Sequence, residues 1–103
     1  MEGKGRLTSH DKVYLLNDRR RINVLRVVGA NPKIERISLL RFFFGEIGES
    51  AFSSMICTLR NSGLLIREPD EGDARRMRYR ATAKGRNAVK FGKEIEKSME
   101  GDE

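Results

Sequence analysis

The sequence predicts an α+β fold that is mostly helical and carries one two-stranded β-hairpin. Apolar residues recur with helical spacing in several segments, and residues 64–68 and 77–81 have the composition of strands. The stretch between them contains Pro69, Asp70 and Gly72, which favour a tight turn. A length of 103 residues predicts a single domain with one modest hydrophobic core.

The N-terminal part predicts an arm followed by one clear helix. Residues 1–9 contain glycines but no apolar periodicity, which favours a flexible arm, and residues 10–16 are compatible with a short helix. After Asn17 or Asp18 as N-cap, an apolar stripe predicts helix one, which the GANP sequence at 29–32 ends. The stripe consists of Ile22, Leu25 and Val28.

A short extended piece and a second helix follow. Residues 34–36 predict the extended piece, and helix two begins at Ile37 and ends at Gly45. Its core-facing stripe comprises Leu40, Phe43 and Phe44. Because three consecutive phenylalanines cannot share one face of a helix, Phe42 is expected to reach a second surface.

Helix three is predicted from about Glu49 to Asn61. Its core-facing positions, at spacings i, i+3, i+4 and i+7, are Phe52, Met55, Ile56 and Leu59. The opposite face carries small residues, namely Ser50, Ser53, Ser54 and Cys57. Small polar side chains let a helix approach another molecule closely, and serine hydroxyls can contact phosphates or base edges. The same residues also suit an ordinary solvated surface, so this helix taken alone leaves both interpretations open.

The next segment predicts a hairpin with one apolar face and one basic face. The LLIRE and MRYRA sequences predict its strands, and the acidic PDEGDA sequence predicts the turn between them. Alternation in the second strand puts Met77, Tyr79 and Ala81 on one face. The other face carries Arg76, Arg78 and Arg80. Thr82 is then expected to cap a last helix. The apolar stripe of that helix comprises Ala88, Phe91, Ile95 and Met99.

The charge distribution favours a polyanionic partner. The net charge is +6, but residues 93–103 hold two lysines against five acids, so residues 1–92 carry +9. Between residues 75 and 90 there are seven cations and no anion. A basic surface of this kind suits nucleic acid, because neutralising phosphates releases their counterions.

Several classes of protein are disfavoured by composition. One cysteine and one histidine offer neither an intrachain disulfide nor a zinc site, so no metal or cofactor is expected. No apolar run approaches the ~20 residues of a membrane span, and residues 1–8 lack the apolar core of a signal peptide. We therefore expect a cytoplasmic protein without a membrane partner. Catalytic and nucleotide-binding patterns are also missing from the sequence, which predicts that the chain is not an enzyme.

The order of these elements is that of a winged helix-turn-helix, and one stretch resembles a known family. Residues 59–86, LRNSGLLIREPDEGDARRMRYRATAKGR, are similar to the second half of the DNA-binding domain of MarR-type regulators. PadR-like and other archaeal or viral winged helices share the pattern more loosely. The matching positions are Leu59 before the strand, Gly63, Leu64 and Leu65 in it, Asp73 and Arg75 in the wing, and Thr82 and Gly85 at the next helix.

The resemblance implies specific roles on DNA. It implies that helix three lies in the major groove, and that Arg75 reaches a minor groove while Asp73 orients it. Ala74 and Ala81 depart from the pattern, where such regulators often carry an arginine and a leucine. Full MarR-type proteins are longer and dimerise through flanking helices that form a ligand cleft. Since only residues 18–89 fit the domain, we infer no small-molecule effector.

The sequence thus predicts a homodimeric transcription regulator that binds double-stranded DNA. Its expected divisions are an arm with a possible short helix (1–16), a winged helix domain (17–90), and a helix end with an acidic tail (91–103). The candidate DNA contacts are Arg36, Ser38, Ser50, Ser53, Ser54, Cys57, Arg75, Arg76, Arg78 and Arg80. The candidate dimer contacts are Phe91, Ile95 and Met99. An architectural DNA-binding protein of low specificity and a protein-interaction module remain as alternatives.

Overall fold

Five helices and a three-stranded antiparallel sheet make up the computed structural model, which describes residues 5–101. In chain order the elements are α1 (Ser9–Asn17), α2 (Arg20–Ala30), β1 (Ile34–Glu35), α3 (Arg36–Phe42), α4 (Glu49–Asn61), β2 (Leu65–Pro69), β3 (Met77–Ala81) and α5 (Ala83–Gly101). The strand order in the sheet is β1-β3-β2. The predicted α+β, mostly helical winged helix-turn-helix is confirmed.

The helix that was ambiguous in sequence, α1, forms because its first turn is capped. The Thr8 hydroxyl accepts a hydrogen bond from the Asp11 backbone N–H at 3.1 Å, and the Thr8 N–H donates to the Asp11 carboxylate at 2.9 Å. Leu15 then joins the core with no exposed surface. Residues 1–4 of the expected arm lie outside the described residues.

Asp11 also connects α1 to the start of α5. Its carboxylate is buried, and the Lys84 ammonium lies 3.0 Å from Oδ2. Burial alone would raise the pKa of Asp11, but hydrogen bonds from Thr8 and Lys84 outweigh burial and hold the pKa below its usual value. The stabilising contribution of this carboxylate is therefore present at neutral pH and is lost as acid protonates it.

Helix α3 differs from the sequence prediction in its phase. It begins at Arg36 and ends at Phe42, so the next two phenylalanines lie in the turn that follows the helix. Phe43 is buried with Leu39, whereas the side chain of Phe44 is 87% exposed. The predicted place of Phe44 in the core stripe was wrong. Phe42 is 56% exposed and does lie on a second surface, as expected.

Helix α4 has the predicted bounds and the predicted buried face. All four core-facing positions are buried: Phe52, Met55, Ile56 and Leu59. The helix ends at a left-handed glycine, Gly63, with φ of 75°. The Leu64 N–H then donates to the Leu59 carbonyl at 3.0 Å, which satisfies a backbone acceptor that the end of the helix leaves open.

The hairpin is confirmed and gains a third strand. Strand β2 pairs with β3 from Leu65 opposite Ala81 to Pro69 opposite Met77. The short extended piece becomes β1, in which Ile34 pairs with Tyr79 on the other edge of β3. Tyr79 and Ala81 are buried as predicted, while Met77 lies at the exposed end of the strand.

Helix α5 starts from a hydrogen-bonded cap and packs unusually close to its neighbours. The Thr82 hydroxyl accepts from the Gly85 N–H at 3.0 Å, as expected for an N-cap. A methyl group on Gly85 would lie 2.1 Å from the Leu64 carbonyl oxygen, and one on Gly92 would lie 2.7 Å from Cγ2 of Ile22. Both glycines therefore allow α5 to lie against the hairpin and α2. The helix continues without a break through residue 90, and the division into residues 1–16, 17–90 and 91–103 stays a prediction.

The described part of the chain, residues 5–101, contains no helix that is long and apolar enough to cross a bilayer. Within the same range, no three histidine, cysteine, aspartate or glutamate side chains are grouped as ligands for a metal ion.

Candidate nucleic-acid interface

The outer face of α4 is a row of small polar side chains. Ser50, Ser53, Ser54 and Cys57 are all exposed, as their spacing predicted. The row continues to Asn61, whose amide nitrogen lies 3.8 Å from Sγ of Cys57. Sequence analysis missed Asn61, although its position four residues after Cys57 is the signal that places it on this face.

A cation from α3 lies beside this face. The guanidinium of Arg36, the first residue of α3, donates a hydrogen bond to the Ser53 hydroxyl. The same group lies over the Phe52 ring, with 5.6 Å between the guanidinium carbon and the ring centroid. Arg36 and Ser53 were both candidate DNA contacts, and the structure brings them together. Ser38, also a candidate, is half-buried two residues further along α3.

A second set of contacts holds the later turns of α4 from the other side. The Tyr14 hydroxyl on α1 lies 2.6 Å from the Thr58 hydroxyl on α4. The Arg21 guanidinium on α2 stacks over the Tyr14 ring at 4.0 Å and donates to the Tyr14 carbonyl. These contacts fix how α4 is presented, and no spacing in the sequence predicts them because the residues belong to three different helices.

The wing presents Arg75 at its tip. Asp70 organises the turn by accepting the N–H groups of Gly72 and Asp73, each at 3.1 Å. Asp73 then accepts from both the backbone N–H of Arg75 at 3.0 Å and its Nε at 3.2 Å. This side-chain hydrogen bond from Arg75 is the main reason that the pKa of Asp73 is lowered. The Arg75 side chain is nevertheless 91% exposed, so the guanidinium is oriented but accessible.

Arg78 is held inside the sheet rather than presented to solvent. Its side chain is 24% exposed and pairs with Oδ1 of Asp70 at 2.9 Å and Oε1 of Glu35 at 3.1 Å. The hydrogen bond from Arg78 is also the main cause of the lowered pKa of Asp70. Arg78 therefore connects β1, β3 and the wing turn. A phosphate contact would require it to give up acceptors that it already has.

The other two wing arginines have looser partners. Arg80 pairs with Glu68 on β2, and Arg76 lies 3.8 Å from Glu35. Arg76 is the more exposed of the two relative to its partner distance, and it follows Arg75 at the tip. The acidic residues of the wing thus orient its arginines and reduce its net charge.

The candidate dimer contacts lie along one side of α5. Phe91 and Ile95 are half-buried, and the side chain of Met99 is 57% exposed. The Arg19 guanidinium approaches Sδ of Met99 at 3.6 Å. An apolar stripe therefore remains partly uncovered near the end of the helix.

Comparison with known proteins identifies the fold. Residues 18–85 match the family model described as a winged helix DNA-binding domain. A comparison with curated proteins gives no match.

Among solved structures, the chain is similar to MarR, with 22% identity and a TM-score of 0.72 over 85% of this chain and 63% of that one. Streptococcus pneumoniae FabT in complex with DNA gives 20% identity and a TM-score of 0.68 over 87% of this chain and 66% of FabT. A mutant of S. aureus MepR bound to an oligodeoxyribonucleotide gives 19% identity and a TM-score of 0.73, over 88% of this chain and 67% of MepR. The chain spans less than two thirds of the MarR and FabT chains.

At these identities the structures support a shared fold, and the fold is the one that the resemblance to MarR-type regulators implied. The family model covers more than half of the sequence. The chain therefore belongs to the family of winged helix DNA-binding domains.

Proposed function

We propose that the chain binds double-stranded DNA as a homodimeric transcription regulator, with α4 in the major groove and the wing tip on the backbone or a minor groove. The observation that carries this proposal is the outer face of α4, where the row of small polar side chains ends in Asn61 and is flanked by Arg36. Small side chains allow the helix to lie deep in the groove. Asparagine can pair with the exposed edge of adenine, and serine can pair with several bases.

The charge of the chain supports the same proposal. Residues 1–92 carry +9, and the exposed guanidinium of Arg75 is already oriented by Asp73. Phosphate contacts fix the position of a protein on the duplex, while contacts to base edges select the sequence. We assign Arg75 and Arg76 to the first role and α4 to the second. Arg78 is assigned to holding the wing in place.

FabT and MepR have been crystallised with DNA, and both have this fold. Their similarity to the chain supports duplex DNA as its partner. The predicted absence of catalysis agrees with the DNA-binding family to which the chain belongs, and the absence of a small-molecule effector stays a prediction.

One observation favours the architectural alternative. The first turns of the α4 face offer Ser50, Ser54 and Cys57, which make fewer specific pairs with bases than arginine or glutamine do. In this version α4 enters the groove but discriminates weakly among sequences. Selection of binding sites from random duplex DNA distinguishes the two forms, because only a specific regulator enriches a motif.

DNA binding is expected to fall steeply with salt. If about six phosphates are neutralised, log K against log salt should have a slope near −5. Replacing Arg75 with alanine should make that slope less negative by about 0.9, because one phosphate contact is lost. Fluorescence anisotropy with a labelled duplex at several salt concentrations measures both slopes.

Arg41→Ala provides a control, since it removes one exposed cation from α3 outside the proposed contacts. It should leave the slope close to that of the wild type. A wild-type slope near zero would contradict DNA binding by charge neutralisation, and equal changes from both variants would contradict the assignment of Arg75.

The homodimer is proposed to form through the exposed apolar side of α5 and its neighbour α1. Val13 and Leu16 on α1 are exposed along with Met99, and this apolar surface exceeds what the core of one copy covers. A dimer with two-fold symmetry would present two copies of α4 to successive turns of DNA. Sedimentation equilibrium at micromolar concentration is expected to give twice the 11.8 kDa mass of the chain.

Replacing Ile95 with glutamate should shift that mass to the monomer, because it puts a charge into the apolar stripe. Lys97→Glu adds the same carboxylate to the opposite, exposed side of α5 and should leave the dimer intact. A monomer mass for the wild-type chain would rule out the dimer and the palindromic DNA site that goes with it.

A further inference from the structure

The outward side of α5 carries a row of cations that the proposed DNA site does not use. Arg86, Lys90, Lys93 and Lys97 recur at i, i+4, i+7 and i+11, and all four are exposed. We call this row the α5 ridge. It lies on the side of the helix opposite Ala88 and Ile95, so it faces away from the core and from the proposed dimer stripe.

The ridge differs from the wing in its local charge balance. Each arginine of the wing from 75 to 80 has a carboxylate within 4 Å. Among the side chains that the structure describes, no carboxylate lies that close to any cation of the ridge. The ridge is therefore a more strongly positive surface than the wing, although it contains no more cations.

A groove beside the ridge adds a fifth cation. Arg26 of α2 lies across a groove of about 370 Å³ from the ridge; its Nη2 pairs with Glu96 at 3.0 Å, and its Nε is buried without a hydrogen-bond partner in the described part of the chain. The floor of the groove is made of small or apolar residues: Gly29, Ala30, Ala81 and Val89. A floor of this kind can accept the apolar face of a deoxyribose while the surrounding cations contact its phosphates.

The dimensions of the ridge fit a DNA backbone. Eleven residues of α-helix span about 16 Å, and phosphates of one strand follow each other by about 3.4 Å along the duplex axis, so the ridge covers about five phosphates. Its side chains are flexible lysines and one arginine, which neutralise phosphates without reading bases. The partner indicated by this chemistry is a sequence-independent polyanion with a regular charge spacing.

The ridge is also separate from the α4 face. Helix α5 packs mainly on α2 and β3, whereas α4 packs on β2. We propose that the α5 ridge binds the phosphate backbone of a second DNA duplex while α4 and the wing hold the first, so that the chain bridges two DNA segments. This proposal rests on the proposed function, because it takes the α4 face as the first DNA site.

A sandwich assay tests the bridge. A biotinylated duplex is immobilised, the protein is added, and a fluorescent duplex of unrelated sequence is supplied as the second segment. The wild-type chain should retain the second duplex with a salt slope of about −3.6 for four phosphate contacts. The double variant Lys90→Gln, Lys93→Gln should retain at least tenfold less of it, while its affinity for the first duplex alone changes less than twofold.

A matched variant with the same loss of charge, Arg20→Gln with Arg41→Gln, should retain the second duplex like the wild type. Thermal melting of all variants checks that they fold equally well. Unchanged retention by the ridge variant would overturn the bridge, and would be the result if the two α4 faces of a dimer joined the duplexes. An equal loss of first-duplex affinity would overturn it as well, because the ridge would then belong to the first site.

Two further outcomes separate other causes. If poly-glutamate at equal charge competes as strongly as duplex DNA for the ridge, the partner is an acidic protein and the bridge is overturned. If the wild-type chain binds no first duplex at low salt, the proposed function fails together with the bridge. Loss of the second duplex alone, confined to the ridge variant, supports the bridge.

Discussion

Replacing Gly85 with alanine is expected to destabilise the domain by about 2 kcal/mol. The added methyl group would lie 2.1 Å from the Leu64 carbonyl oxygen, a backbone atom that no rotation of a side chain can move aside. Overpacking of this kind costs about 3 kcal/mol, and the better helix propensity of alanine offsets about 1 kcal/mol of it. For a domain of this size the loss corresponds to a melting temperature lower by roughly 10 °C.

Gly29→Ala is the matched control for this measurement. Gly29 also lies in a helix, but a methyl group there would meet no atom within 4 Å. That variant should be as stable as the wild type or slightly more stable. If calorimetry gave the two alanine variants the same melting temperature, the contact between α5 and the start of β2 would not be the reason for glycine at position 85.

Replacing Ser54 with glutamate is expected to weaken DNA binding by about a hundredfold. The side chain of Ser54 is exposed in the middle of the α4 face, where a longer carboxylate would crowd the groove and repel phosphates. A hundredfold loss is about 2.7 kcal/mol, comparable to the loss of one good contact to a base. Titration of a labelled duplex at fixed salt measures the change.

Two controls separate this effect from net charge and from folding. Ser9→Glu adds the same charge at the exposed first turn of α1, where a carboxylate is favourable, and should change affinity only slightly. Ser54→Ala should retain most of the affinity. Wild-type affinity in the Ser54→Glu variant, with unchanged melting, would show that α4 does not enter the groove.

The parts of the fold that could be predicted are those that local spacing determines. The bounds of α4 follow from an unbroken apolar stripe and from Gly63, which ends the helix with a positive φ. The phase of α3 could not be predicted in the same way. Its spacing allowed Phe44 to face the core, but α3 ends at Phe42, and the turn that follows buries Phe43 and exposes Phe44.

The candidate site could be predicted in outline but not in its pairing. Alternation put Arg78 on a basic face, yet only the structure brings Glu35 of β1 to within 3.1 Å of it. The contact between Tyr14 and Thr58 likewise joins residues far apart in sequence. The roles of the candidate DNA and dimer residues, the cytoplasmic location and the lack of a cofactor stay predictions.

The carboxylates of the wing make its tip a zwitterion rather than a simple cationic patch. The pKa values of Asp70 and Asp73 are lowered by Arg78 and Arg75, so both acids stay ionised well below neutral pH. The charge of the tip is therefore constant across the physiological pH range. A zwitterionic tip attracts a phosphate only when its dipole points the right way, which makes contact by the wing depend on orientation more than on distance.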